Sequence, residues 1–273
     1  MLRRVLTTLV GIPILLAAIW WGTPWLVFLL AVAVIIGVRE FYRLYRAEDA
    51  SLPTLLGSLW ALAFVLGAQA SSDLTNFLTI SSGIFIVGAF VSFLWLVAFH
   101  KSPGFTQASV YLILGPVYVG FLLSHALVLR ETGESATFGR DWLLFALLVT
   151  FATDTGAFLT GRSIGRHKMA PAISPNKTWE GAIGGFVLAV LASLALGQLL
   201  DLELARWQQG LIGATVGVVS QLGDLSESAL KRISQVKDAG SIIPGHGGIL
   251  DRVDSLVLSI PAVYYLINLV FKP

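Results

Sequence analysis

The chain has 273 residues, of which 56% are hydrophobic and only 12% are charged, and its mean hydropathy is +0.80. Soluble domains carry roughly 25% charged residues, so this chain has too little polar surface to dissolve in water, and lipid is expected to surround most of it. The net charge of +2 comes from basic residues scattered between apolar runs, so no nucleic-acid partner is expected. The absence of cysteine excludes disulfides, thiolate metal sites and a cysteine nucleophile.

Nine continuously apolar runs predict an all-α fold, a polytopic membrane bundle, because a helix crosses the hydrocarbon core with about 20 residues. The first run follows two arginines, as in a signal peptide, but Trp20, Trp21 and Pro24 occupy the place of small cleavage-site residues, which favours a retained span. The second, third and eighth runs are short for a crossing helix. The runs are 5–21, 25–38, 54–70, 77–99, 106–129, 142–161, 179–200, 208–223 and 254–271.

Lysine and arginine predict how these helices are oriented, because cytoplasmic loops are enriched in both residues. Of the 18 basic residues, 14 lie at the N-terminus or in the loops after the second, fourth, sixth and eighth runs, and 4 lie on the opposite side. In the cell membrane, the N-terminus is therefore predicted to be cytoplasmic and the C-terminus to lie outside.

The second half of the chain differs from the first. It carries two long polar loops, 162–178 and 224–253, on the predicted cytoplasmic side, whereas the first half is nearly all apolar run and short turn. We see no tandem repeat. We interpret residues 1–140 as a transmembrane scaffold and residues 141–273 as a catalytic transmembrane half, the two forming one cooperative unit.

Three features of the second half carry charge inside or beside a predicted span, where charge is costly. The first is Asp154, inside the sixth run, whose carboxylate needs a cation, a metal ion or water as a partner. The alternative is a packing residue paired with one arginine of the cytoplasmic side.

The second feature is segment 174–181, which leads into the seventh run. Pro175 marks a turn, so the next polar residues are predicted at the cytoplasmic start of a helix, where exposed N–H groups and the helix dipole favour an anion. The alternative is an ordinary capped helix with an interfacial tryptophan and a lysine on the positive side. The polar residues are Lys177, Thr178 and Glu180.

The third feature begins with Asp224, Ser228 and Lys231, which share one face of a predicted helix because they are spaced at i, i+4 and i+7. The glycine-rich segment 244–248 follows. Its lack of side-chain bulk lets backbone amides approach phosphate oxygens closely.

Asp251 and Asp254 follow that segment at i and i+3, on one face of the ninth predicted helix. Paired carboxylates beside basic residues and a glycine-rich loop suit Mg²⁺ bridging phosphates. The alternative, a solvated connector, would not need carboxylates at the start of an apolar helix. Glu227 and Asp238 could each simply balance a nearby lysine.

These motifs resemble the phosphatidate cytidylyltransferase family, also called CDP-diacylglycerol synthases, over about 154–255. One departure is Asn176, where the family usually has a basic residue. The first half is similar to the family only in hydropathy and length. The matching segments are 154–158, 174–181, 228–232, 237–238, 244–248 and 251–254.

The resemblance implies that a phosphate oxygen of phosphatidate attacks the α-phosphorus of CTP and that pyrophosphate leaves, giving CDP-diacylglycerol for phospholipid biosynthesis. It implies one or two Mg²⁺ ions, with a monovalent cation such as K⁺ as a further candidate, and a homodimer. His246 is assigned to positioning, because a phosphate nucleophile needs no strong general base.

The expected roles divide the candidate site residues into three groups. The catalytic residues are Asp224, Lys231, Asp251, Asp254 and His246. The metal ligands are Asp224, Asp251, Asp254 and Asp154. The substrate-binding residues are Lys177, Thr178, Glu180, Ser228, Arg232, Lys237, Gly245, Gly247, Gly248 and Arg252.

Two other functions match part of the pattern. A CTP-dependent lipid kinase of the polyprenol or phytol type would move the γ-phosphoryl group to an alcohol, which needs a base. An ion-coupled transporter would suit Asp154 and glycine-rich breaks in helices. However, transporters usually have internal repeats, and here the charges cluster on the predicted cytoplasmic side, where CTP is found.

Overall fold

The computed structural model shows a protein that is 80% helical, which confirms the all-α prediction. In the part of the chain that the structure describes, named strands are confined to one short hairpin. Two predicted site residues, Gly245 and His246, lie outside the described residues. The structure describes residues 2–44, 51–99, 105–133, 135–243 and 247–271.

The helices follow the predicted apolar runs in chain order. Gly22, with a φ of +68°, and Pro24 lie between the first two helices, where a left-handed residue and a missing N–H end regular helix. The helices are α1 Leu2–Trp21, α2 Trp25–Leu44, α3 Ser51–Gln69, α4 Leu74–Phe99, α5 Phe105–Gly115, α6 Leu122–Arg130, α7 Ala136–Ile164, α8 Trp179–Leu199, α9 Arg206–Ile233, α10 Leu250–Val253 and α11 Leu256–Tyr265.

Two π-helical segments extend this set. Pro116–Phe121 joins α5 to α6, and it begins at a proline that cannot donate the regular helical hydrogen bond. Leu266–Val270 continues α11. The strands β1 Lys168–Ala170 and β2 Ser174–Thr178 pair antiparallel between α7 and α8.

Six helical stretches in the described residues are long and apolar enough to cross a membrane. The first and ninth predicted runs correspond to the shorter apolar helices Leu9–Trp21 and Leu256–Val270. The eighth run lies in α9, which is not among the six, so the count of nine spans stays a prediction. The six are Trp25–Leu44, Leu52–Gln69, Leu74–Ala98, Val110–Arg130, Thr137–Ile164 and Trp179–Leu199.

The chain forms two compact units. Unit 1 contains Met1–Val128 and Val236–Arg252, and unit 2 contains Leu129–Gln235 and Val253–Pro273. Val236–Arg252, which we call the polar segment, therefore belongs to the first unit.

Unit 1 contains a close approach between two helical segments. A Cβ on Gly120, in the first π-helical segment, would lie 2.6 Å from the Cα of Ala61 in α3. Ala61 and Val119 are fully buried, and the buried Tyr42 hydroxyl donates a hydrogen bond to the Leu112 carbonyl oxygen at 3.0 Å. Because Gly120 has no side chain, the π-helical segment can contact the α3 backbone.

Unit 2 contains a similar contact between α7 and α8. A Cβ on Gly181 would lie 2.9 Å from the Ala157 carbonyl oxygen, and one on Gly185 would lie 2.8 Å from the Thr153 carbonyl oxygen. The small residues at the start of α8 are therefore used for helix packing within the chain. This packing fixes the position of β2, which directly precedes α8.

Candidate functional site

The start of α8 is built by a helix cap. Thr178, 5% exposed, has extended backbone angles, and its hydroxyl oxygen accepts a hydrogen bond from the Gly181 N–H at 3.1 Å. Threonine is a favoured residue at this position because it satisfies an N–H group that the helix leaves unpaired. The contact gives Thr178, a predicted substrate-binding residue, a structural role and fixes Lys177 directly before the cap.

Lys177 joins this segment to α9. Its Nζ lies 2.8 Å from Asp224 Oδ2, and the two side chains are 22% and 34% exposed. The other carboxylate oxygen, Oδ1, accepts a hydrogen bond from the Ser228 hydroxyl at 3.4 Å. The structure thus brings together three residues that the sequence predicted for the site.

Asp254 lies next to Asp224 because of a glycine in α9. A Cβ on Gly223 would lie only 2.3 Å from the Asp254 carbonyl oxygen, so a larger residue could not occupy this position without a backbone shift. Ser255 then connects two carboxylates. Its N–H donates to Asp254 Oδ1 at 2.8 Å, and its hydroxyl donates to Asp154 Oδ1 at 3.4 Å.

We call Asp154, Asp224 and Asp254 the acidic triad. Burial, together with the negative charges of Asp224 and Asp154, raises the pKa of Asp254 to about 7. The Ser255 N–H and the charge of Lys231 act in the opposite direction but do not cancel this effect. The triad is therefore a site of mutual repulsion that a bound cation would relieve.

The donor chemistry of the triad suits Mg²⁺, which prefers carboxylate oxygens combined with phosphate oxygens and water. In the arrangement seen, no three acidic, histidine or cysteine side chains among the described residues are grouped as a metal site. Lys177 is the cation that is paired with the triad at Asp224. The match to a magnesium site thus rests on the oxygen donors and on their repulsion.

Lys231 has a buried partner. Its Nζ lies 2.5 Å from Oε2 of Glu227, whose side chain is fully buried, whereas the Lys231 side chain is 13% exposed. Of the roles that the sequence left open for Glu227, the structure shows the balancing of a nearby lysine. The next residue, Arg232, donates from Nε to the Ile173 carbonyl oxygen at 2.9 Å. Both basic residues thus have structural contacts within unit 2.

Glu180 is occupied by the loop that follows α7. Its carboxylate accepts hydrogen bonds from the Arg166 N–H at 3.1 Å and the His167 N–H at 3.2 Å. It also lies 2.5 Å from His167 Nδ1. These contacts close the connection between α7 and the hairpin, so the structure gives this predicted substrate-binding residue a role in local folding.

Asp251 organises the polar segment in unit 1. Its Oδ2 accepts hydrogen bonds from the Ala239 N–H at 3.0 Å and from the Gly248 N–H at 2.8 Å. Gly247 has a φ of +81°, a conformation that glycine adopts at no steric cost. Lys237 and Arg252 are exposed. Asp251 thus connects the backbone at Ala239 to the backbone at Gly248.

The sequence analysis missed one buried acidic residue, Glu40 in α2. It is fully buried, and its Oε2 accepts a hydrogen bond from the Leu250 N–H at 2.9 Å. The signal was available, because a lone carboxylate at the end of an apolar run needs a partner. The neighbouring Arg39 and Arg43 were interpreted only as basic residues that mark the cytoplasmic end of the helix.

The fold and the site together define a helical membrane protein with clustered carboxylates and ammonium groups suited to phosphate chemistry. Residues 2–270 match the model of the Cytidylyltransferase family, and the chain belongs to that family.

Similar proteins named phosphatidate cytidylyltransferase cover nearly the whole chain. The protein from Bacillus subtilis (strain 168) is 34% identical over 272 residues, 98% of each chain. The protein from Staphylococcus saprophyticus is 33% identical over 265 residues, 97% of this chain and 98% of the relative. The protein from Staphylococcus aureus (strain COL) is 32% identical over 267 residues, with the same shares covered.

Replacing Lys231 by Met should lower the free energy of unfolding by about 3 kcal/mol, because the buried Glu227 carboxylate loses its ion-pair partner. Adding Glu227→Gln should restore most of this loss, since the charge is then removed with its partner. The measurement is the thermal unfolding midpoint in detergent. Lys237→Met, at an exposed lysine, is the control and should leave the midpoint unchanged. A Lys231→Met protein as stable as the wild type would contradict the structural role.

Proposed function

We propose that this protein is a phosphatidate cytidylyltransferase, which transfers the cytidylyl group of CTP to phosphatidate and forms CDP-diacylglycerol and pyrophosphate in phospholipid biosynthesis. The observation that carries the proposal is the match to the Cytidylyltransferase family over residues 2–270. The acidic triad and the Lys177–Asp224 ion pair supply the charges that such a reaction needs.

The reaction forms one bond and breaks one bond. A phosphate oxygen of phosphatidate bonds to the α-phosphorus of CTP, and the bond from that phosphorus to the oxygen bridging the α- and β-phosphates breaks. Pyrophosphate leaves with the bridging oxygen. Because the nucleophile is already an ionised oxygen, the main barrier is repulsion between two polyanions. Positive charge and close positioning of the two substrates are therefore the main requirements.

The basic residues of the site are proposed to meet this requirement. Lys177, paired with Asp224, is the ammonium group for a phosphate oxygen of one substrate. Arg232 adds positive charge on the last turn of α9, and Lys231, paired with Glu227, stays a predicted substrate contact. The backbone around Gly247 and Gly248 is proposed to approach phosphate oxygens, and Arg252, Lys237 and Ser228 stay predicted substrate contacts.

Mg²⁺ is proposed as the cofactor, held by Asp154, Asp224 and Asp254. When bound, it would neutralise charge on the phosphates. Asp251, whose Oδ2 is held by two backbone N–H groups, stays a predicted ligand. A second Mg²⁺ or a monovalent cation such as K⁺ stays a prediction.

The site is proposed to face the cytoplasm, where CTP is available, with the N-terminus on the same side and the C-terminus outside. The distribution of lysine and arginine, 14 against 4, supports this orientation. A homodimer, expected from the family resemblance, stays a prediction.

The activity is tested with purified protein in detergent, phosphatidate, Mg²⁺ and CTP labelled at the α-phosphate. The wild-type protein should transfer label to the lipid, and Asp224→Asn should lower the rate by about 100-fold or more, because a charge that organises the site is lost. The control is Asp201→Asn, the same change at an exposed residue with a φ of +49°, which asparagine tolerates.

Two results would contradict the proposal. If folded wild-type protein left phosphatidate unlabelled, cytidylyl transfer would be wrong, and γ-labelled CTP with lipid alcohols would then test the kinase alternative. If Asp224→Asn were as active as Asp201→Asn, the proposed site would be wrong although the activity was present.

Metal binding is tested with Mn²⁺ as a paramagnetic substitute for Mg²⁺. The electron paramagnetic resonance signal of free Mn²⁺ should decrease when the wild-type protein is added, because the protein binds the ion. Asp254→Asn should lower the Mn²⁺ affinity by more than about tenfold, since even changes to the residues around metal ligands cost about tenfold in affinity. Asp201→Asn is again the control. Equal Mn²⁺ affinity in all three proteins would exclude Asp254 as a ligand.

The orientation is tested with single cysteines, because the chain contains no cysteine of its own. A cysteine replacing Ser72, exposed between α3 and α4, should react with a membrane-impermeant maleimide in intact cells. A cysteine replacing Arg166, exposed after α7, should react only after the membrane is permeabilised. The reverse pattern would place the site outside.

A further inference from the structure

Glu40 is an unusual residue for the first half of the chain. It lies in α2, within the candidate span Trp25–Leu44, and it is fully buried. A carboxylate removed from water costs several kcal/mol unless hydrogen bonds or opposite charge compensate. A residue that carries this cost in an apolar helix calls for a specific contact.

That contact is to the backbone of a segment 210 positions later in the chain. Glu40 Oε2 accepts a hydrogen bond from the Leu250 N–H at 2.9 Å. This N–H lies at the start of α10, where the helix leaves donors without an internal partner. The scaffold carboxylate therefore caps a short helix in the polar segment.

Two glycines show how closely the segment packs on Glu40. A Cβ on Gly240 would lie 2.1 Å from Oε1, and a Cβ on Gly248 would lie 2.3 Å from Oε2. In both cases the three nearest atoms all belong to the Glu40 side chain. The carboxylate thus lies against the backbone at both Gly240 and Gly248, and only residues without a side chain leave room for it.

Asp251 completes the arrangement from inside the segment. Its Oδ2 accepts hydrogen bonds from the N–H groups of Ala239 and Gly248, so it connects the backbone on the same two sides of the Glu40 carboxylate. Glu40 then holds the backbone immediately before Asp251. The orientation of the Asp251 side chain consequently depends on the backbone that Glu40 fixes.

We propose that Glu40 is a positioning residue for the transfer reaction: its carboxylate, supplied by a scaffold helix, fixes the backbone of residues 248–250 and thereby the Asp251 side chain. The proposal rests on the proposed function, because the reaction gives the segment its importance. Glu40 acts through the backbone of this segment and not on the substrate.

The first test compares Glu40→Ala with the wild-type protein. Loss of the acceptor leaves the Leu250 N–H unbonded, so kcat and kcat/KM should both fall by about 100-fold, the cost of a displacement near 1 Å. A residue that only stabilised the helices would lower the unfolding midpoint but leave kcat unchanged per folded molecule.

The second test uses the glycine contact. Gly248→Ala should inactivate the enzyme, because its new methyl group overlaps Glu40. Adding Glu40→Asp shortens the acidic side chain, and the double variant should regain about tenfold in kcat. The matched control is Gly247→Ala, whose strain comes from a φ of +81° and from Asp251 Oδ2 at 2.6 Å. Glu40→Asp should not rescue it.

A third measurement separates this inference from the proposed function. Amide hydrogen exchange of residues 248–252 in detergent does not require activity, and Glu40→Ala should speed exchange at Leu250 by at least about tenfold. If the wild-type protein made no CDP-diacylglycerol, the function would fail, while this exchange result would still test the contact. Unchanged exchange, or full kcat in Glu40→Ala, or equal rescue of both glycine variants, would overturn the inference.

Discussion

The cost of removing charged side chains from water is the constraint on which the rest of the structure depends. The protein meets it by giving ionisable side chains specific partners, such as Asp224 for Lys177, Glu227 for Lys231, and backbone N–H groups for Glu40 and Asp251. Each partner comes from a defined element, so satisfying the charges also fixes which elements meet. The polar residues therefore specify the architecture of each unit as much as they prepare it for chemistry.

Glycine makes these pairings geometrically possible. Gly223 lets α9 approach the chain at Asp254, and Gly240 and Gly248 leave space for the Glu40 carboxylate. Gly181 and Gly185 bring α8 against α7, which fixes the start of α8 beside Lys177. A glycine-rich composition in this chain thus reflects close approach of backbones and carboxylates, and positive φ angles explain only a few positions.

Sequence reasoning predicted the helical class correctly, because continuous apolar runs are a local signal. Asp154 was singled out by its place inside an apolar run, and Asp224 and Asp254 by their spacing on helix faces. In the structure, Ser255 donates hydrogen bonds to both Asp254 and Asp154. The hairpin of 168–178, the structural use of Thr178 and Glu180, and the contact between Glu40 and Leu250 could not be predicted. They depend on which segments meet in three dimensions, and a single sequence does not contain that pairing.

Exposure divides the two lysine pairs of unit 2 into different classes. Lys231 and Glu227 are 13% and 0% exposed, so separating them would leave a charge buried, and the pair is expected to persist throughout a reaction cycle. Lys177 and Asp224 are 22% and 34% exposed, and solvent reduces the stabilisation from such a pair to about 1 kcal/mol or less. In the proposed reaction, Lys177 can therefore exchange Asp224 for a phosphate oxygen, and Asp224 can exchange Lys177 for a cation, with little loss of stability. In the proposed reaction, the same ion pair thus keeps Lys177 and Asp224 partnered before the substrates arrive and separates into a cation for phosphate and an anion for the metal ion.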